Sequence, residues 1–259
     1  MSDAWPTQRR CVITLMVEQT WLEGVISIEA ALAAGSRDVA VVYIQHDKWD
    51  SGARRLMKAA AVAGVIVERV GRDFIDERAG GSSHGGVIAL VGPRRLVTMA
   101  QLVEGRARPA VVMLDGIEDP FNFGQAVRAL YAAGVDGLVV RPRNWLSAAA
   151  IVARASAGAS ELMPTAIAES AEEAADFYRD RGLTVACTTR KAVVSIYEAD
   201  LSARLFLLLG GEKRGVTRSF VDKADLRLQI PYVRPFSHSL GAAASAAIVA
   251  FEMMRQRQF

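Results

Sequence analysis

Between residues 110 and 230 the chain alternates short, wholly apolar runs with longer amphipathic or alanine-rich ones, and this alternation constrains the fold more than any other feature. The clearest run, Leu205-Phe206-Leu207-Leu208-Leu209, has no polar side to turn toward water, so as a strand it must be covered on both faces. Residues 110–114, 137–140, 184–189 and 226–230 read as strands as well. Helices are expected at 122–133, ended by Gly134, at 147–157, from the capping box Ser170-Ala171-Glu172-Glu173 to Gly182, and at 239–257. Strands alternating with helices imply a mostly parallel sheet with helices on both sides, and ligands then sit at the carboxyl ends of the strands.

The front of the chain is a second, smaller α/β unit. A helix over 25–34 is stopped by Gly35, and a strand follows at 38–44. A helix over 50–63 is closed by Gly64, with strands at 65–67 and 87–91. Residues 93–108, bounded by Pro93 and Pro109 and holding Arg94, Arg95, Arg106 and Arg108, form the expected linker. The organisation is thus 1–92, a linker at 93–108, and 109–259. With 51% hydrophobic and 23% charged residues, a core is within reach and wholesale disorder is excluded.

Two cysteines, Cys11 and Cys187, and three histidines lie far apart, so neither a disulfide framework nor a metal site is expected. The longest uncharged apolar stretch, 240–251, is too short to span a membrane. Arg9 and Arg10 precede an apolar run that Glu18 stops early, so a secretory leader is not expected and a reducing cytoplasm fits best. The formal net charge is only +3, but 26 of the 31 cationic residues are arginine, whose planar fork suits phosphate. Charge alone permits RNA binding without demanding it.

Gly81-Ser82-Ser83-His84-Gly85 matches the hydrolase elbow pattern G-x-S-x-G, but an apolar strand follows it where the elbow needs one before it, so a glycine-rich turn is expected. There is no G-x-G-x-x-G and no Walker A loop. Three loops in the second half carry more. In the first, 114–128, Asn122 is placed to cap a helix and Arg128 about one and a half turns in. In the second, an apolar strand runs into Gly210-Gly211-Glu212-Lys213-Arg214-Gly215. In the third, Ile230-Pro231 is followed by Ser239-Leu240-Gly241-Ala242-Ala243-Ala244-Ser245, a helix of small residues able to pack closely, within the fold or across a dimer.

In this order the loops resemble motifs 1, 2 and 3 of the SpoU/TrmH family of SPOUT RNA methyltransferases. Asn122, Gly124 and Arg128 match N-x-G-x-x-x-R. Gly210, Glu212 and Gly215 match G-x-E-x-x-G, and Ile230-Pro231 matches the dipeptide after it. The ending from Phe251-Glu252 to Arg255-Gln256-Arg257 is also similar, so the likeness covers 110–257. More weakly, Glu23-Gly24 and His84-Gly85-Gly86-Val87 resemble the family's front domain, which is similar to small RNA-binding ribosomal proteins.

The resemblance implies a deep trefoil knot in the second domain, S-adenosylmethionine bound by Gly210, Gly211, Ile230 and Leu240, and a homodimer in which Arg128 reaches the partner's cofactor. It implies methyl transfer to a ribose 2′-hydroxyl of RNA, with Arg128, Asn122 and Glu212 as the catalytic set. The front domain favours ribosomal over transfer RNA. Arg128 is expected to grip the phosphate beside the target and stabilise the emerging alkoxide, since its very high pKa suits it poorly as a base. Glu212 would orient an arginine or close its loop. One departure stands out: Gly241 and Ala243 occupy places where the family carries Asn and Ser. A catalytically silent RNA-binding protein on the same fold, or a transfer-RNA ribose methyltransferase, is the alternative.

Overall fold

The computed structural model describes residues 18–142, 148–190, 192, 194–211 and 215–258. The front unit comprises β1 (Thr20–Glu23), α1 (Val25–Ala34), β2 (Val39–Gln45), α2 (Ser51–Val62), β3 (Ile66–Val70), α3 (Arg72–Asp76) and β4 (Val87–Val91). Its sheet runs β1-β4-β2-β3, antiparallel except for the β2/β3 pair. Alternation along the strands turns Leu22, Val42, Ile44, Val87 and Ala89 toward Ile28 and Leu56 of α1 and α2. Trp21, Tyr43 and Phe74 cluster, with ring centroids 5.9 and 4.7 Å apart. Asp50 caps α2 through the Ala53 N–H (2.8 Å), so that helix starts one residue after its expected first position.

The second unit follows as β5 (Ala110–Asp115), α4 (Pro120–Ala132), β6 (Gly137–Val140), α5 (Ala149–Ala155), α6 (Ala159–Leu162), β7 (Thr165–Ile167), α7 (Ala171–Arg179), β8 (Thr184–Thr188), β9 (Val194–Ser195), β10 (Leu205–Gly210), α8 (Arg218–Lys223), β11 (Leu226–Gln229) and α9 (Ala242–Gln258). Its seven strands are all parallel, in the order β7-β6-β5-β10-β8-β11-β9. The apolar run in β10 is buried on both sides as its composition requires. Leu205, Leu207 and Leu209 join the core beneath α4 and α9, while Phe206 and Leu208 join the core beneath α7. There Tyr178 stacks on Phe206 (5.0 Å) and its hydroxyl donates to the Met99 carbonyl (3.2 Å). At the end of α9, Gln256 and Arg257 donate to the Ala199 and Leu201 carbonyls, 3.1 and 2.9 Å, tying the loop before β10 to the last helix.

Residues 92–109 contain no helix or strand, yet they pack closely on the second sheet. Leu102 and Val103 are buried, and Arg94 donates to Thr165 (2.9 Å) and to the Met163 carbonyl. Burial pulls the Arg94 guanidinium down to about 10, which still leaves it cationic at neutral pH.

Helices α5 and α6 join the two units. Ala149 and Ala153 complete the core of the front unit. Arg154 pairs with the buried Glu23, whose other oxygen accepts from the Gly80 N–H (2.7 Å). Gly158, at φ +80°, lets α1 approach; a Cβ there would lie 2.7 Å from Ala30 Cβ. Beside it, Glu161 accepts from Arg37 Nε (2.9 Å) and Ser36 Oγ (2.6 Å), and all three groups are buried. Removing one partner strands a buried charge, which costs about 3–5 kcal/mol. Glu161→Ala is therefore expected to lower the unfolding free energy by that amount in urea titration. Arg218→Ala, at the exposed Arg218–Asp222 contact, should stay within about 0.5 kcal/mol of the parent.

Candidate active site

The carboxyl ends of β8, β10 and β11 open into a cleft of about 580 Å³, bounded on one side by the start of α9. This is where an open parallel sheet offers space to a ligand. Gly210, Gly211, Ile230 and Leu240, three stretches well separated in sequence, all line it. So do Ser239 and Ser245, Thr188 at the end of β8 and Arg190 just beyond it.

The glycines at the end of β10 have a packing reason of their own. A Cβ on Gly211 would lie 1.9 Å from the Gly116 carbonyl oxygen, and one on Gly210 would lie 2.4 Å from the Gly215 carbonyl carbon. Two backbone loops thus meet there without side chains, the turn after β10 being closed by the Gly215 N–H on the Gly211 carbonyl (2.9 Å). Glu212, with Lys213 and Arg214, lies outside the described residues.

Residues 232–240 form a strap at the cleft edge. The Leu240 N–H donates to the Tyr232 hydroxyl (3.0 Å), and Arg190 donates to the Ser237 and Phe236 carbonyls. The last helix begins at Ala242, three residues later than expected, because Gly241 accepts the first helical bond from the Ser245 N–H (3.0 Å). Gly241 and Ala243 bring no polar side chain, but Ser239 and Ser245 place hydroxyls at the cleft.

Asn122 and Arg128 lie elsewhere. Asp119 caps α4 through the Phe121 N–H (2.7 Å) and Pro120 takes the first helical position, so Asn122 is a residue of the first turn and not the cap. Proline's preset φ after an aspartate makes the stronger helix start. Arg128 consequently lies more than two turns in, on the exposed face, with no ion-pair partner among the described residues. Neither side chain lines the cleft of its own chain. A smaller hollow borders the start of α4, between Asp115–Ile117, Phe123 and Arg141, with Arg141 paired to Asp115 (2.8 Å).

Immediately before the cleft residue Thr188, Cys187 is fully buried, and desolvation pushes its thiol up to about 11 despite Arg227 nearby. The elbow-like segment is a 3-10 turn, Ser82–His84, with no strand before it. His84 Nδ1 accepts from the Gly86 N–H (3.0 Å) and Nε2 faces Asp76 (2.9 Å), so the imidazole holds the turn. Among the described residues, no three His, Cys, Asp or Glu groups gather as metal ligands, and no helix is long and apolar enough to cross a membrane.

The model of the SpoU rRNA Methylase family matches residues 109–251, and that of RNA 2'-O ribose methyltransferase substrate binding matches 21–97. The 23S rRNA (guanosine-2'-O-)-methyltransferase RlmB of Photobacterium profundum is 28% identical over 91% of this chain and 97% of its own. The protein of that name in Escherichia coli is 27% identical over 90% and 97%. The crystal structure of the SpoU methyltransferase AviRb from Streptomyces viridochromogenes in complex with AdoMet shares the fold, with a TM-score of 0.76, 21% identity and coverage of 92% and 90%.

Two outcomes follow from the packing around the cleft. Gly211→Ala forces two backbones apart and should cost about 1–3 kcal/mol by thermal or urea unfolding. Cys187 should resist alkylation in the native chain at pH 8 and react fully once the chain is denatured, as peptide mass mapping will report.

Proposed function

This chain belongs to the SpoU rRNA methylase family, and on that premise we propose that it methylates a ribose 2′-hydroxyl of ribosomal RNA, with S-adenosylmethionine as the methyl donor. The observation that carries the reading is the convergence of Gly210, Gly211, Ile230 and Leu240, from separate loops, on one cleft. The relatives named 23S rRNA (guanosine-2'-O-)-methyltransferase, matched along nearly their whole length, and a neighbour solved with AdoMet, support the substrate and the donor.

The cleft fits such a donor. Its volume of about 580 Å³ falls in the roughly 300–1,000 Å³ range of small-molecule sites. Leu209, Leu228, Ile230 and Leu240 offer apolar cover, and Ser239 and Ser245 offer hydroxyls. The Leu240 N–H is already engaged by the Tyr232 hydroxyl, so it is not the group that meets a ligand. When bound, the donor supplies a methyl group on a cationic sulfur.

The chain's own task is to align the ribose oxygen in line with that methyl and to offset the charge that develops there. Arg128 grips the adjacent phosphate and stabilises the emerging alkoxide. It lies outside the cleft of its own chain, so it acts on the cleft of a second copy, in a homodimer. Tyr131, three residues on along α4, and Phe251 on the packed α9 are 40% and 45% exposed and support that face as the contact. Asn122 holds the first turn of α4, and Glu212 orients an arginine or closes its loop. A trefoil knot through the cleft loops, a front unit over residues 1–92 that holds the RNA, and action in the cytoplasm belong to the same reading.

Gly241 and Ala243 favour one other reading, an RNA-binding protein without turnover. Calorimetry with S-adenosylmethionine, then labelled methyl transfer to total RNA and mapping of 2′-O-methyl sites, separates the two. Donor binding with no transfer to any RNA selects the second. Arg128→Ala should lower transfer by at least about 100-fold and leave donor affinity nearly intact; an unchanged rate removes this role for Arg128.

A further inference from the structure

We propose that Trp49 and Arg69 form a stacking platform for a single-stranded stretch of the substrate RNA, flanked by Arg54 and Lys58 as phosphate contacts. The inference rests on the RNA reading above and adds where the front unit takes hold.

Trp49 lies in the loop from β2 to α2 and is 58% exposed. An indole left in water offers a large apolar face and a polar edge for recognition. The Arg69 guanidinium lies over it at 3.8 Å from the ring centroid. Arg69 is itself fixed, donating to the Gln45 carbonyl (3.0 Å) and the Lys48 carbonyl (2.8 Å), so the stacked pair is already ordered. Its other nitrogen contacts the Met57 sulfur (3.3 Å) on α2.

Arg54 and Lys58 flank Met57 at i−3 and i+1. Being four apart, they share one helix face with it. Both are exposed and have no ion-pair partner among the described residues. The other cations nearby are occupied: Lys48 by Asp50, Arg55 by Glu29, and Arg72 by Asp76. Residues 46–72 carry six cationic side chains against three carboxylates, an excess equal to that of the whole chain. An aromatic plane, a fixed guanidinium and two free cations on one surface match an unpaired base with its neighbouring phosphates. A duplex, whose bases are stacked away, cannot use the indole.

The test compares the full chain with Trp49→Ala, Trp49→Phe and an Arg54→Gln/Lys58→Gln double variant, each checked by thermal unfolding. The probes are single-stranded oligouridylate, a duplex of the same length and a ribosomal RNA transcript that the parent methylates. Trp49→Ala should weaken single-strand binding about ten-fold, with Trp49→Phe retaining most of the affinity and duplex binding unchanged. The double variant should flatten the slope of log affinity against log salt by about 1.4, from about 0.7 per phosphate contact. On the transcript, KM for RNA should rise while kcat and donor affinity hold.

Parent-like single-strand affinity, KM and salt slope in these variants overturn the platform. A parent chain that binds single strands through Trp49 but methylates nothing keeps the platform and rejects the methyl-transfer reading. A parent that methylates, with Trp49→Ala indistinguishable from it, does the reverse.

Discussion

The second unit depends on the approach of the loop after β5 to the loop after β10, where the Gly116 carbonyl occupies the space a Gly211 side chain would need. The two strands, β5 and the central β10, are paired along six residues from Leu205↔Ala110 to Gly210↔Asp115. Strands β6 and β7 extend the sheet to one side of them and β8, β11 and β9 to the other, so the order reverses at this pair. Loops leaving such a point diverge and leave a crevice. Closing one side of it by bare backbone contact sets how far the turn after β10 can rise, and so the depth of the cleft beside it.

The joint between the units is polar where it is most buried. Glu23 and Glu161, both almost fully enclosed, meet arginines across the boundary, Arg154 and Arg37. Such pairs contribute little net stability against an apolar replacement but penalise any arrangement that parts them. Together with Ala149 and Ala153 inserted into the front core, they hold the front sheet in one orientation relative to the cleft. An RNA gripped at a distance from the reacting ribose needs that fixed geometry.

Legibility in the sequence followed the strength of the local pattern. The wholly apolar strands β5, β6 and β10 and the helix from Ser170 stand where their composition put them, because nothing but a doubly covered strand or a capped amphipathic helix satisfies those residues. Strands of two to four residues, β1, β7 and β9, and the short helices α3, α6 and α8 were not legible. Four residues such as Thr20-Trp21-Leu22-Glu23 carry no period, and only pairing with β4 makes them a strand. Asp119 was missed as a cap in favour of Asn122, though the Asp-Pro pair was the signal. At the candidate site, the motif glycines, Ile230 and Leu240 were legible through resemblance. Thr188 and Arg190 were not, since they reach the cleft only because β8 lies between β10 and β11, an order no local pattern encodes.

The same order has a consequence for synthesis. β5 leaves the ribosome about 90 residues before its principal neighbour β10, and at roughly 5–20 residues per second the wait is on the order of 5–20 s. During it, a strand built of Ala110, Val111, Val112, Met113 and Leu114 has β6 on one edge and nothing on the other. The front unit cannot finish early either, since Ala149, Ala153 and Arg154 belong to its core and its edge. The nascent chain therefore carries an unpaired apolar edge for seconds, an interval in which the finished sheet cannot yet keep it from other chains.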